Sequence, residues 1–72
     1  MKRLYCRTCG QPLKNPEVAL NLKLRGQGIG FFYCEGCLSV RMDCTSADLR
    51  ELVRYFTENG CELFARCYVD EE

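Results

Sequence analysis

Hydrophobic and polar residues change rhythm several times along the chain. Over residues 17–24, Val18, Leu20, Leu22 and Leu24 alternate with Ala19, Asn21 and Lys23. A period of two marks a half-buried strand, because successive side chains point to opposite faces. Arg25, Gly26, Gln27 and Gly28 then read as a turn, and 29–33 as a second strand with Ile29, Phe31 and Tyr33 on one face. A hairpin is the natural joining of two such strands. Gly26-Gln27-Gly28-Ile29-Gly30 is half of a dinucleotide-binding fingerprint, but it links strand to strand and leads into no helix, so it reads as the hairpin turn.

The second half changes period. Residues 38–42 contain neither glycine nor proline and read as a short helical turn. Leu49, Leu52, Val53 and Phe56 then fall at i, i+3, i+4 and i+7, one face of a helix. Thr45 or Ser46 caps its start, with Asp48 three residues after Thr45 in capping-box spacing. Asn59-Gly60 is the stop, with Gly60 at the C′ position. The helix therefore spans 45–59. Over 61–69, Cys61, Leu63, Ala65, Cys67 and Val69 alternate with Glu62, Phe64, Arg66 and Tyr68, which predicts a third strand before an acidic end, Asp70-Glu71-Glu72. Pro12 and Pro16 mark an irregular loop near the start. The expected fold class is a small α+β domain, in which one helix stripe buries one hairpin face.

Length sharpens this picture. Seventy-two residues leave room for one domain, 1–72. So short a chain buries only about 60% of its unfolded surface and is marginal without a disulfide, a structural metal or oligomerisation. Seven cysteines are present and no histidine. The longest uncharged run, 26–34, is far shorter than the ~20 apolar residues of a membrane span. Met1-Lys2-Arg3 is followed by no apolar stretch of signal-peptide length. The expected compartment is cytoplasmic, where thiols stay reduced, and the odd cysteine count favours metal or redox use over a disulfide framework.

Cys6-x-x-Cys9-Gly10 and Cys34-x-x-Cys37 lie 24 residues apart. Two such pairs are the strong signal of a zinc site, with a spacer a little longer than usual. Zinc takes four ligands in a tetrahedron, each sulfur at ~2.3 Å, and each pair supplies one edge. Gly10 suits the positive φ that such a turn often needs. Four protein ligands close the coordination sphere, so the site is structural. Binding supplies roughly 10–16 kcal/mol of apparent free energy coupled to folding, which suffices for so small a core.

With these two pairs the chain resembles the treble-clef and zinc-ribbon class of four-cysteine zinc fingers. The resemblance covers roughly 5–42 and implies the order knuckle, β-hairpin, knuckle, helix, with Cys6, Cys9, Cys34 and Cys37 as ligands of one zinc ion. The 45–59 helix and the 61–69 strand are additions packed on that zinc module. A looser likeness runs to the small bacterial N-terminal zinc domains of antitoxin regulators. Their second pair is usually followed by glycine, and here Leu38 follows Cys37. Rubredoxins also hold a metal, iron, on two such pairs. Their second pair usually contains proline and precedes glycine, which Cys34-Glu35-Gly36-Cys37-Leu38 does not. Iron is thus the alternative metal and electron transfer the third function. Members of the treble-clef class bind DNA, RNA, ribosomes or proteins, so the resemblance alone selects no function.

Cys44, Cys61 and Cys67 read as small buried hydrophobes. The other readings are a second metal site or thiol switch, or Cys44 in place of one knuckle ligand. Phe31, Phe32, Tyr33, Tyr55, Phe56, Phe64 and Tyr68 read mainly as core, with base stacking the alternative. The net charge is zero, yet residues 1–42 carry seven basic and two acidic side chains and residues 43–72 carry three and eight. Arg3, Arg7, Lys23 and Arg25 are therefore the candidate contacts to a nucleic acid or a partner. A pI near 6.2 is low for a nucleic-acid binder. No paired carboxylates, no activated nucleophile and no phosphate-cradling loop occur in the sequence, so no enzyme, small-molecule substrate or membrane role is expected. The expected function is a structural-zinc adaptor that binds another protein or itself, the alternative a nucleic-acid-binding zinc finger.

Overall fold

The computed structural model describes residues 2–26, 28 and 30–70. Met1, Gln27 of the expected turn, Ile29 at the head of the expected second strand, and Glu71 and Glu72 of the acidic end lie outside the described residues. Four helices follow one another: α1 (Asn15–Arg25), α2 (Glu35–Arg41), α3 (Ser46–Glu58) and α4 (Glu62–Ala65). Among the described residues there is no sheet. Two isolated bridges remain, an antiparallel one between Tyr5 and Pro12 and a parallel one between Cys6 and Phe32. The expected α+β fold, with its treble-clef-like hairpin and C-terminal strand, is therefore corrected to a helical one.

The physical reason is clearest in α1. Its residues Ala19, Leu20, Leu22, Lys23, Leu24 and Arg25 are strong helix formers, and Pro16 stands in the first turn, where its missing N–H costs nothing. The Glu17 carboxylate accepts the Lys14 N–H at 2.8 Å and so satisfies a donor at the helix start. Alternation misleads here because four consecutive residues, Val18, Ala19, Leu20 and Asn21, are all buried. A helix whose middle turn is enclosed on every side shows no polar face there, and the 3.6-residue rhythm disappears from that stretch of its sequence.

In the other two expected strands, the described residues before Cys34 and those after α4 lie outside any helix or sheet, and asparagine side chains meet the backbone of Tyr33, Tyr68 and Val69. Asn21 is completely buried. Its Nδ2 donates to the Tyr33 carbonyl at 2.8 Å, and its Oδ1 accepts the Tyr33 N–H at 3.0 Å. Asn15 does the same at the far end: its Oδ1 accepts the N–H groups of Tyr68 and Val69, and its Nδ2 donates to the Val69 carbonyl at 3.1 Å. Each amide stands in for one rung of a β-ladder. Glu62–Ala65 form the short α4 with Cys61 as its N-cap, and Asp70 then closes the chain back on its start through its N–H to the Lys2 carbonyl, 2.8 Å.

α3 carries its expected capping box. Thr45 Oγ1 accepts from Asp48 N, and Asp48 Oδ2 accepts from Thr45 N, both at 3.1 Å. It ends in a Schellman motif with Gly60 at φ 72°, the Cys61 N–H reaching Phe56 O at 3.0 Å. α2 ends the same way, but Asp43 takes the left-handed position at φ 55°. The helices pack α1 on α3 and α4, α2 on α3, and α3 on α4. Leu20, Leu38, Leu49 and Val18 are fully buried between them.

Candidate metal centre

Three pieces of chain build the centre. The first is the turn after Tyr5, where Gly10 donates to the Cys6 carbonyl and Cys6 N–H to the Gln11 carbonyl, both at 2.9 Å. Gly10 has φ 75°, the left-handed conformation expected of it. The second is the segment 31–34, tied to that turn by Arg7 N–H to Phe32 O at 2.9 Å. The third is α2. Cys34 is its N-cap and Cys37 lies in its first turn. Glu17 Oε2 accepts the Glu35 N–H at 2.7 Å, so one carboxylate links the starts of α1 and α2.

These pieces bring the sulfurs of Cys6, Cys9, Cys34 and Cys37 within 4.8 Å of one another. Cys9 Sγ and Cys34 Sγ are 3.6 Å apart. A tetrahedron with sulfurs ~2.3 Å from its centre has edges of about 3.8 Å, so the observed set fits a four-thiolate metal site with little movement. Cys6 and Cys34 are buried, Cys37 half-buried and Cys9 exposed. The centre thus sits at the surface with one edge toward solvent.

Burial raises the Cys6 thiol, but hydrogen bonds from the backbone of Cys9, Cys34 and Thr8 and from the Cys9 thiol outweigh it and bring the group down to about 6. Hydrogen bonds with the Cys34 and Cys6 thiols push Cys37 up to about 12. Burial raises Cys34, reinforced by the Cys9 and Cys6 thiols. Cys6 therefore ionises readily, while Cys37 and Cys34 hold their protons, the first through thiol hydrogen bonds and the second through burial. A cation held by these four sulfurs would favour their thiolate forms, because its own charge would stabilise each of them.

The remaining cysteines stay out of the cluster. Cys44 and Cys61 are half-buried and Cys67 is exposed, its thiol donating to the Val69 carbonyl at 3.4 Å. The expectation that Cys67 is buried is corrected: beside the exposed Arg66 it faces solvent, while Tyr68 and Val69, held by Asn15, turn toward the core.

The candidate contact residues divide. The Arg7 guanidinium lies over the Phe31 ring at 4.4 Å. Arg25 lies over Phe31 at 4.7 Å and Tyr33 at 4.6 Å and donates to Phe31 O and Asn21 Oδ1. Lys23 sits elsewhere, over Phe56 at 4.9 Å, and Arg3 is half-buried. Arg41, absent from the sequence-based set, joins Arg25 on Tyr33 at 4.3 Å. Its signal was its place four residues after Cys37, on the same face of α2. Of the aromatic residues, Tyr33 is buried, Phe32, Phe56, Phe64 and Tyr68 are half-buried, and Phe31 and Tyr55 are exposed. No helix among the described residues is long and apolar enough to cross a membrane. Compared with known proteins, the chain matches no family model, no curated protein and no solved structure.

Proposed function

We propose that Cys6, Cys9, Cys34 and Cys37 hold one zinc ion that cross-links the N-terminal turn to α2, and that the protein is a scaffold presenting a surface to a protein partner. The observation that carries the metal reading is the convergence of four sulfurs within 4.8 Å from two Cys-x-x-Cys pairs. A bound zinc ion supplies a structural cross-link and no open coordination position, since all four ligands come from the protein. Support for the scaffold reading is chemical: with every cysteine of the cluster engaged as a ligand, the surroundings present binding surface and no reacting group.

Elemental analysis of the purified protein, with a chelator titration followed by far-ultraviolet circular dichroism, tests this. One zinc per chain and loss of helix on chelation are expected. One iron per chain, visible as red colour, would replace zinc with an electron-transfer centre, because the same sulfur set suits both metals. A folded protein with no metal at all would remove the proposal.

A further inference from the structure

The charges on this molecule are sorted by place. Arg50, Arg54 and Arg66 pair with Glu35, Glu58 and Glu62 at 2.7, 3.2 and 3.8 Å. Arg7, Arg25 and Arg41 have no carboxylate partner among the described residues and rest on the rings of Phe31 and Tyr33 instead. Arg25 also spends one guanidinium nitrogen on Phe31 O and Asn21 Oδ1, which fixes it in place; planar guanidiniums held on aromatic faces in this way lose little freedom when an anion arrives. Beside them Thr8, Cys37, Val40 and Arg41 line an open groove. Val40 is 80% exposed, the most exposed of the large hydrophobic side chains. Basic edges around an apolar groove call for an acidic surface with an apolar anchor.

The same chain carries such a surface. Asp48, Glu51, Tyr55 and Glu58 are exposed on α3 at i, i+3, i+7 and i+10, a spacing that puts them on one face. Tyr55 is 59% exposed, an amphipathic ring among three carboxylates, of which Glu51 is uncommitted among the described residues, Asp48 also caps the helix and Glu58 also meets Arg54. We propose that the Arg7–Arg25–Arg41 face with its Val40 groove receives the Asp48–Glu51–Tyr55–Glu58 stripe of a second copy of this chain. α2 and α3 pack against each other, so groove and stripe belong to neighbouring elements. A two-fold axis then lets each copy give its stripe and receive its partner's, and the assembly closes at two. A single-stranded nucleic acid fits less well. It wants free ring faces for its bases, and here guanidiniums cover the rings next to the arginines. The inference rests on the scaffold reading, because the metal-held turn and α2 position Arg7, Thr8 and Arg41.

The test is sedimentation equilibrium of the zinc-loaded chain up to about 1 mM, the weak end of specific association, at low and high salt. Metal content is measured on every sample. The wild type is expected to dimerise, with weaker dimers at high salt. Arg41→Glu and Glu51→Arg are each expected to raise the dimer dissociation constant tenfold or more, and the two combined to restore it, since like-charge contacts are costly and reversed pairs are not. Restoration also excludes a trivial folding defect from losing the Arg41–Tyr33 contact. A monomer at 1 mM carrying its full zinc overturns the dimer and leaves the metal reading standing. Dimers indifferent to both charge reversals overturn the assigned faces. A monomer that binds a mixed-sequence single-stranded oligonucleotide, and loses it with Arg41→Glu, overturns the inference in favour of nucleic acid. Protein lacking metal refutes the earlier proposal itself.

Discussion

Replacing Asn21 by alanine tests whether side-chain amides do the work of a sheet here. Asn21 is fully buried and supplies both hydrogen-bond partners of the Tyr33 backbone, at 2.8 and 3.0 Å. Of its two other bonds, Nδ2 to Glu17 O at 2.7 Å is a second partner for a carbonyl inside α1, and Oδ1 also accepts from the partly exposed Arg25 at 3.2 Å. Losing these two leaves little exposed need. The two Tyr33 groups differ, because each then lies buried with no partner, at about 1–3 kcal/mol apiece. The expected loss is therefore about 2–6 kcal/mol, in the lower part of that range where a water enters the space left behind. Small domains hold only about 5–15 kcal/mol in total, so such a loss brings the metal-free chain close to unfolding. Tyr33 precedes Cys34, which makes metal affinity fall with stability. The assay is urea unfolding of the metal-loaded variant and wild type by circular dichroism, with a competing chelator to rank metal affinity. A loss below about 1 kcal/mol for Asn21→Ala would refute the idea that this amide holds the 31–34 segment in place.

Serine in place of Cys6, Cys9, Cys34 or Cys37 should strip the metal, whereas Cys67→Ser, at an exposed site, should keep it and change stability by no more than about 0.5 kcal/mol; equal metal loss from Cys67→Ser overturns the ligand set. Zinc uptake should release fewer than four protons per ion at pH 7.5, because Cys6, lowered to about 6, is already a thiolate there. Below pH 6 Cys6 regains its proton, so the count measured by calorimetry in buffers of different ionisation enthalpy should climb to four while affinity falls. Asp43→Gly should stabilise the protein by up to about 1 kcal/mol, read as a rise in Tm, since Asp43 holds the φ 55° position that glycine occupies without strain.

What could be read from the sequence was whatever a few neighbouring residues decide among themselves. Cys6/Cys9 and Cys34/Cys37 declare a shared centre because two sulfurs three residues apart already form one edge of a ligand set. Gly10, Thr45 with Asp48, and Gly60 declared their turn and caps for the same reason, and each stands where local geometry asks for it. The misread elements depend on what lies around them. The alternation of Val18, Leu20, Leu22 and Leu24 carried information only on the assumption that Ala19 and Asn21 face water. Both are buried. Once that assumption fails, propensity decides, and the alanine, leucine, lysine and arginine of this stretch favour a helix. Asn21 was the overlooked clue. A small amide among leucines reads as solvent-facing in a strand, but in an enclosed helix it must find partners, and it finds them twelve residues away at Tyr33. Asn15 finds its own more than fifty residues away at Tyr68 and Val69. These long-range amide bonds hold Tyr33, Tyr68 and Val69 without a ladder, and 62–65 coil into α4, so neither of the two remaining period-two stretches yields a sheet among the described residues. The metal centre survives the change of fold because it needs only what both folds provide: a tight first turn, and a second cysteine pair delivered at the start of α2.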